Sequence, residues 1–181
     1  MRVVCHTDGS ASPNPGPTRI GVLIEDSNGE PLMAISDSTG IGTSNTAEYK
    51  AILRALQESK KLGATKVTLY TDSQLCERQL NGIYSVSGQL RELHEKVLEE
   101  AKAFEVARFR WIARTEGKQP LVDTLAEGGR KAFEILRSIN DRPRADGARR
   151  EADPGTEPDD ESGAAGGLFE QQSDPDVPGL P

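Results

Sequence analysis

The sequence predicts an α/β fold, a mixed sheet in which three antiparallel strands come first and two further strands are reached through helices. Three observations predict it. Asn28-Gly29 stands between two apolar runs, residues 19–26 and 31–37, and Asn-Gly between such runs marks a tight hairpin. The strand at 66–71 passes straight into a helix at Asp72-Ser73, which favours a parallel strand as its next neighbour. From residue 44 onward, segments of helical apolar spacing alternate with short β-type runs.

Residues 2–7 read as the first strand, with Val3-Val4-Cys5 as its apolar centre and Asp8 at its end. The stretch 9–16 is rich in Gly, Ser, Pro and Asn and reads as a loop. Strand two covers 19–26, and strand three covers 31–37 with Pro31 at its tolerated first position. After a loop at 40–46, a helix runs from Ser44 or Asn45 to Lys61, with Ser, Asn and Thr available as N-caps. Ala51, Ile52, Ala55, Leu56 and Leu62 mark its apolar face, and Glu48 falls on that same face, though an acid near the helix N-terminus also suits the dipole. Strand four delivers Asp72 to its carboxyl end, where open α/β sheets place ligands; Asp72 also suits a helix N-cap. A short helix at 74–80, a loop at 81–88 and a helix at 89–103 follow, the last striped by Leu90, Leu93, Val97, Leu98 and Ala101. Residues 104–112 form strand five, 114–120 a polar loop, and one helix runs from about Pro120 to Ile139 with Asp123 in its first turn.

Charge divides the chain. Of its 22 Lys+Arg and 29 Asp+Glu, residues 1–140 hold 18 and 18, while residues 141–181 hold 4 and 11, so the net charge of −7 sits in the last segment. That segment is dense in Pro, Gly, Asp and Glu and too poor in large apolar residues to offset ordering entropy, so a disordered acidic tail is expected after a folded domain at 1–140. Gly167-Leu168-Phe169 is an apolar island in it, suited to a protein partner. The neutral domain offers no bulk attraction for nucleic acid, so any such binding must come from local sites. Residues 1–6 lack a signal-peptide pattern and no apolar run reaches membrane-spanning length. Cys5 and Cys76 read as buried free thiols in a reducing compartment, and the expected location is cytoplasmic with no membrane contact.

Four carboxylates occupy unusual places: Asp8 and Asp72 end strands, and Glu48 and Asp123 begin helices. Gathered at one sheet edge they would repel, which raises their pKa values or demands cations. Hard divalent ions with oxygen ligands, Mg²⁺ or Mn²⁺, satisfy such a set, and two of them roughly 4 Å apart clamp a phosphodiester and activate water. There is no Cys/His set for zinc, and His6 and His94 read as structural or solvated.

Four spaced motifs carry a resemblance: Thr7-Asp8-Gly9-Ser10-Ala11 with Asn14-Pro15-Gly16; Thr43-Ser44-Asn45-Thr46-Ala47-Glu48-Tyr49; Tyr70-Thr71-Asp72-Ser73-Gln74-Leu75; and Asp123-Thr124-Leu125-Ala126. Over residues 1 to about 136 the chain resembles ribonuclease H of the type 1 lineage, in the branch lacking a basic handle. The resemblance implies a ribonuclease H-like fold with helices on both faces of a five-stranded mixed sheet. It also implies endonucleolytic cleavage of the RNA strand of RNA–DNA hybrids with two Mg²⁺ or Mn²⁺ ions. Asp8 would bridge both ions, Asp123 would complete the first site, and Glu48 and Asp72 the second. Gly9, Ser10, Asn14, Ser44 and Asn45 would contact the hybrid, Thr43 would grip a DNA-strand phosphate, and Glu48 would accept from a ribose 2′-OH. The loop before Asp123 departs from the family. It has no His; Arg114 takes a matching place, Pro120 and Val122 are set against the Asn and Ala of an Asn-x-x-Ala-Asp pattern, and the spacing is longer. Glu116 and Glu127 are the alternatives to Asp123; Lys118 or Glu116 could stand in for the His, but the reading preferred for both is a solvated loop charge. The competing readings are a hybrid-binding module with an impaired site, and a nuclease preferring double-stranded RNA or junctions.

Overall fold

The computed structural model describes residues 1–142. The strands are β1 (Arg2–Ala11), β2 (Gly16–Asp26), β3 (Pro31–Gly42), β4 (Lys66–Thr71) and β5 (Val106–Trp111). The helices are α1 (Ser44–Lys61), α2 (Gln74–Leu80), α3 (Leu90–Ala101), α4 (Gln119–Glu127) and α5 (Gly129–Asn140). The sheet runs β3-β2-β1-β4-β5, antiparallel across β3, β2 and β1 and parallel across β1, β4 and β5. This is the mixed sheet that the Asn-Gly hairpin and the direct β4–α2 connection imply.

Alternation along the strands builds two cores. On one face Val3, Cys5, Val67 and Leu69 pack against Ile52 and Leu56 of α1 and Val97 of α3. On the other, Leu23 and Ala34 pack against Val122 and Leu125 of α4 and Ala132 and Ile139 of α5. Tyr49 is fully buried, and its hydroxyl donates to Gln79 Oε1 at 2.8 Å, which satisfies the one polar atom it takes inside. Cys5 and Cys76 are buried free thiols, both pushed up to about 12 by burial.

Four expectations need correction. The N-cap of α2 is Ser73 and not Asp72: the Ser73 Oγ accepts from the Cys76 N–H at 3.3 Å, which leaves the Asp72 carboxylate free of that task. The first strand does not stop at Asp8: residues 8–11 pair with 18–21 of β2. Ladder hydrogen bonds and close packing there outweigh the poor strand preference of Asp, Gly and Ser. The third strand likewise runs on to Gly42, paired with Gly16. The last helix is two, because Gly128 and Gly129 both sit at φ +78°, left-handed conformations that a right-handed helix cannot run through. The acidic tail and its apolar island lie outside the described residues. No described helix is long and apolar enough to cross a membrane.

Candidate active site

The last parallel pair between β1 and β4 is Thr7–Thr71. Asp8 and Asp72 follow immediately, so two carboxylates emerge side by side where the pairing ends. The third arrives on α1. Gly9 lies under the start of that helix, and a Cβ on it would stand 2.2 Å from the Glu48 nitrogen, so only glycine lets α1 come this close. Thr43 sets where the helix begins: its Oγ1 accepts from the Thr46 N–H at 3.2 Å, and Thr46 Oγ1 accepts from the Thr43 N–H at 2.9 Å. Asp8, Glu48 and Asp72 each offer an oxygen, and these atoms all lie within 4.8 Å of one another. Thr71 Oγ1 donates to Glu48 Oε2 at 3.2 Å, while the buried Asp8 Oδ2 has no hydrogen-bond partner.

Three carboxylates in this space cannot all ionise freely. Asp8 is pushed up to about 7, first by burial and then by the charges of Asp72 and Asp123, with Arg114 opposing. Glu48 is raised well above its ordinary range by burial, then by Asp8 and Asp72. Asp72 is raised mainly by burial, less so because Arg114 faces it. Asp8 Oδ2, an orphaned acceptor among raised carboxylates, has the donor chemistry of a hard divalent cation site.

Asp123 arrives by a different route. α4 lies across β1 and β2 at Gly21, where a Cβ would stand 2.1 Å from the Val122 carbonyl oxygen. The buried Gln119 fixes its first turn by donating from Nε2 to the Thr7 carbonyl at 3.0 Å, one residue from Asp8. Gln119, rather than Pro120, is the residue four positions before Asp123 and so stands where the Asn of Asn-x-x-Ala-Asp would. Asp123 is near enough to raise Asp8 but lies outside the 4.8 Å set. It is bound instead by the Arg114 guanidinium, whose Nε also sits 3.8 Å from Asp72 Oδ2. Glu116 and Glu127, the alternatives, are exposed and outside the set.

Of the residues expected to contact a hybrid, Gly9 is buried in the α1 contact, and Ser10 Oγ donates to the Ala126 carbonyl at 3.1 Å. Both serve packing here. Asn14 and Asn45 are exposed, and Asn14 Oδ1 accepts from the Ser44 N–H at 3.2 Å, tying the β1–β2 turn to the start of α1 beside the half-buried Thr43. The opposite flank holds a residue that sequence reasoning missed. Trp111 is 46% exposed, and its indole N–H donates to the Asp72 carbonyl at 3.1 Å. The available signal was an aromatic side chain closing an edge strand.

A second polar group lies behind the loop between β5 and α4. Glu25 is 3% exposed, with Lys118 Nζ 3.4 Å and His6 Nε2 3.5 Å from its oxygens. Burial, then Lys118, lowers His6 to about 4, so its ring is neutral near pH 7 and Lys118 supplies the charge opposite Glu25. Lys118 is therefore not merely a solvated loop charge. His94 Nε2 lies 3.2 Å from the Gln79 carbonyl oxygen, within the packing of α3 on α2.

The reverse transcriptase-like family model matches residues 6–128. The bifunctional protein Rv2228c of Mycobacterium tuberculosis (strain ATCC 25618 / H37Rv) is 31% identical over 116 residues, 63% of this chain and 32% of that protein; the match thus spans well under half of that relative. The crystal structure of RNase H1 from the halophilic archaeon Halobacterium salinarum NRC-1 is similar with a TM-score of 0.68 at 29% identity, covering 75% of this chain and 99% of that one. The crystal structure of LC11-RNase H1 in complex with an RNA/DNA hybrid is similar with a TM-score of 0.66 at 34% identity, covering 72% and 99%. With more than half its length matched and its sheet order reproduced, this chain belongs to the reverse transcriptase-like family and has the ribonuclease H fold.

Proposed function

We propose that the chain is a metal-dependent endoribonuclease that hydrolyses the RNA strand of RNA–DNA hybrids. The observation that carries this reading is the set of Asp8, Glu48 and Asp72 oxygens within 4.8 Å, with a buried Asp8 oxygen left unpaired. The hybrid bound to a relative 34% identical to this chain supports the substrate class. Asp8, Glu48, Asp72 and Asp123 would hold two divalent ions, with Asp8 shared, Glu48 and Asp72 serving one and Asp123 the other. The all-oxygen set suits Mg²⁺ or Mn²⁺. Such ions, when bound, supply a water activated near neutral pH and neutralise charge on the phosphate.

The chain's own residues do the remaining work. Burial of Asp8 and Glu48 excludes bulk water and strengthens their hold on cations. Arg114, exposed on one side and held by Asp72 and Asp123 on the other, stands where it can meet a substrate phosphate. Asn14, Ser44 and Asn45 form a polar ledge that suits a minor groove lined with 2′-hydroxyls, and Thr43 at the α1 N-terminus suits a phosphate.

The pairing of Asp123 with Arg114, outside the triad, favours a second reading, a hybrid-binding module with an impaired site. Incubation of a labelled RNA–DNA hybrid with Mg²⁺ or Mn²⁺, beside Asp72→Asn and Asp123→Asn, separates the two. Cutting of the RNA strand by the wild type and its loss in both variants is the expected result. Cutting that survives Asp123→Asn removes Asp123 from the ligand set. Binding without cutting in either metal leaves the binding module. Double-stranded RNA and junction duplexes run in parallel test the broader nuclease reading.

A further inference from the structure

The loop at 112–118 carries Arg114 between two tethers. At the β5 end, the Ile112 N–H donates to the Thr71 carbonyl at 3.0 Å. At the α4 end, Gln119 reaches the Thr7 carbonyl and Lys118 reaches Glu25. Between them residues 114–117 are exposed, and their backbone bonds are local, the Glu116 N–H to the Ala113 carbonyl at 2.9 Å and the Gln119 N–H to the Glu116 carbonyl at 3.1 Å. Arg114 sits in this span, so the placing of its guanidinium on Asp72 and Asp123 depends on how firmly the ends are held.

Glu25 is an unexpected residue for its place. It lies on β2 opposite Val4, on the face covered by α4, and is almost fully buried. An apolar side chain would fill that position without the desolvation that a carboxylate suffers. Burial of its charge is offset by Lys118, the one ammonium or guanidinium in contact with it among the described residues. Lys118 itself is the residue before α4, and its head must turn inward to make the contact.

We propose that Glu25 and Lys118 form a latch that fixes the 112–118 loop and so positions Arg114 between Asp72 and Asp123. Both are positioning residues, neither in contact with the carboxylate set. The inference rests on the proposed hydrolytic function for its kinetic consequence, but not for its structural one.

The test uses the full chain with Lys118→Met, Lys118→Arg and Glu25→Gln, each alone and combined with Arg114→Ala. Lys118→Met and Glu25→Gln are each expected to lower kcat on the RNA–DNA hybrid by about five- to tenfold, the scale of a small misplacement near the chemistry, with little change in KM. Lys118→Arg is expected to restore most of the rate. In the Arg114→Ala background both losses are expected to vanish, because the latch then has nothing to position. Without metal or substrate, amide hydrogen exchange at residues 113–117 is expected to quicken in Lys118→Met and stay near wild type in Lys118→Arg. Unchanged exchange in Lys118→Met overturns the latch, and so do losses that multiply with Arg114→Ala. Should the wild type cut no hybrid, the hydrolytic reading fails and exchange alone decides the latch.

Discussion

Replacing Asp8 with Asn removes the charge that the site holds least willingly. The folded-state pKa of Asp8 is about 7 against an ordinary 3.8, so the unfolded chain ionises this group some three units earlier than the folded one. Between roughly pH 4 and pH 7 the native state binds the extra proton, and stability from this group falls as pH rises through that window. At about 1.4 kcal/mol per unit, ionising Asp8 in the metal-free fold costs at most about 4 kcal/mol above pH 7. Asn keeps the shape without the charge, and burying its amide returns part of the gain, about 1–3 kcal/mol. Metal-free Asp8→Asn is thus expected to be more stable than wild type near pH 8 by about 2 kcal/mol, or roughly 6 °C in Tm. Near pH 5, where the native Asp8 is protonated, the difference should shrink towards zero. Thermal melts of both proteins in chelator across this pH range give the difference, in which distant titrating groups cancel and the relief of Glu48 from the Asp8 charge is included. A variant equally destabilised at both ends of the range would refute the crowded-carboxylate picture. Added Mg²⁺ should raise the wild-type Tm and leave that of Asp8→Asn nearly unmoved.

Gly9→Ala and Gly21→Ala each place a methyl against backbone, at 2.2 Å and 2.1 Å, so each should cost about 1–3 kcal/mol in chemical denaturation and lower hybrid cleavage by displacing Glu48 or Asp123. Gln119→Leu abolishes the tie to the Thr7 carbonyl; a loss of about 1–2 kcal/mol in denaturant midpoint is expected, with reduced activity. Gly128→Ala combines a φ of +78° with contact at 2.6 Å to Arg19, and a Tm lowered by several degrees, about 1–3 kcal/mol, is expected from the strain.

Periodicity made most of this fold legible. Asn28-Gly29, the Asp72-Ser73 junction and the α1 stripe each state a local geometry that the tertiary structure keeps. Where the sequence misled, the deciding interaction was not local. Ser10 and Ala11 carry no strand preference of their own and are held by Arg19 and Thr18 across the ladder. The last helix kept its apolar spacing straight through Gly128-Gly129, so periodicity hid a break that the backbone dihedrals impose. That Asp8, Glu48 and Asp72 gather was legible only from the set, since each alone has an ordinary place at a strand end or near a helix start. Gln119 and Glu25 were not legible, because a polar residue in a loop or at a strand end is ordinary until its burial is known.

Trp111 is the chain's single tryptophan, and its indole N–H rests on the Asp72 backbone at the rim of the carboxylate set. The molecule therefore carries one indole, which excitation at the red edge of its absorption selects over the three tyrosines, placed where a ligand would alter its surroundings. Emission from an unlabelled sample reads that one location without the averaging that several tryptophans impose. A titration with cation or oligonucleotide then yields an isotherm for the site, and stopped-flow mixing its arrival and departure rates, with no dye attached.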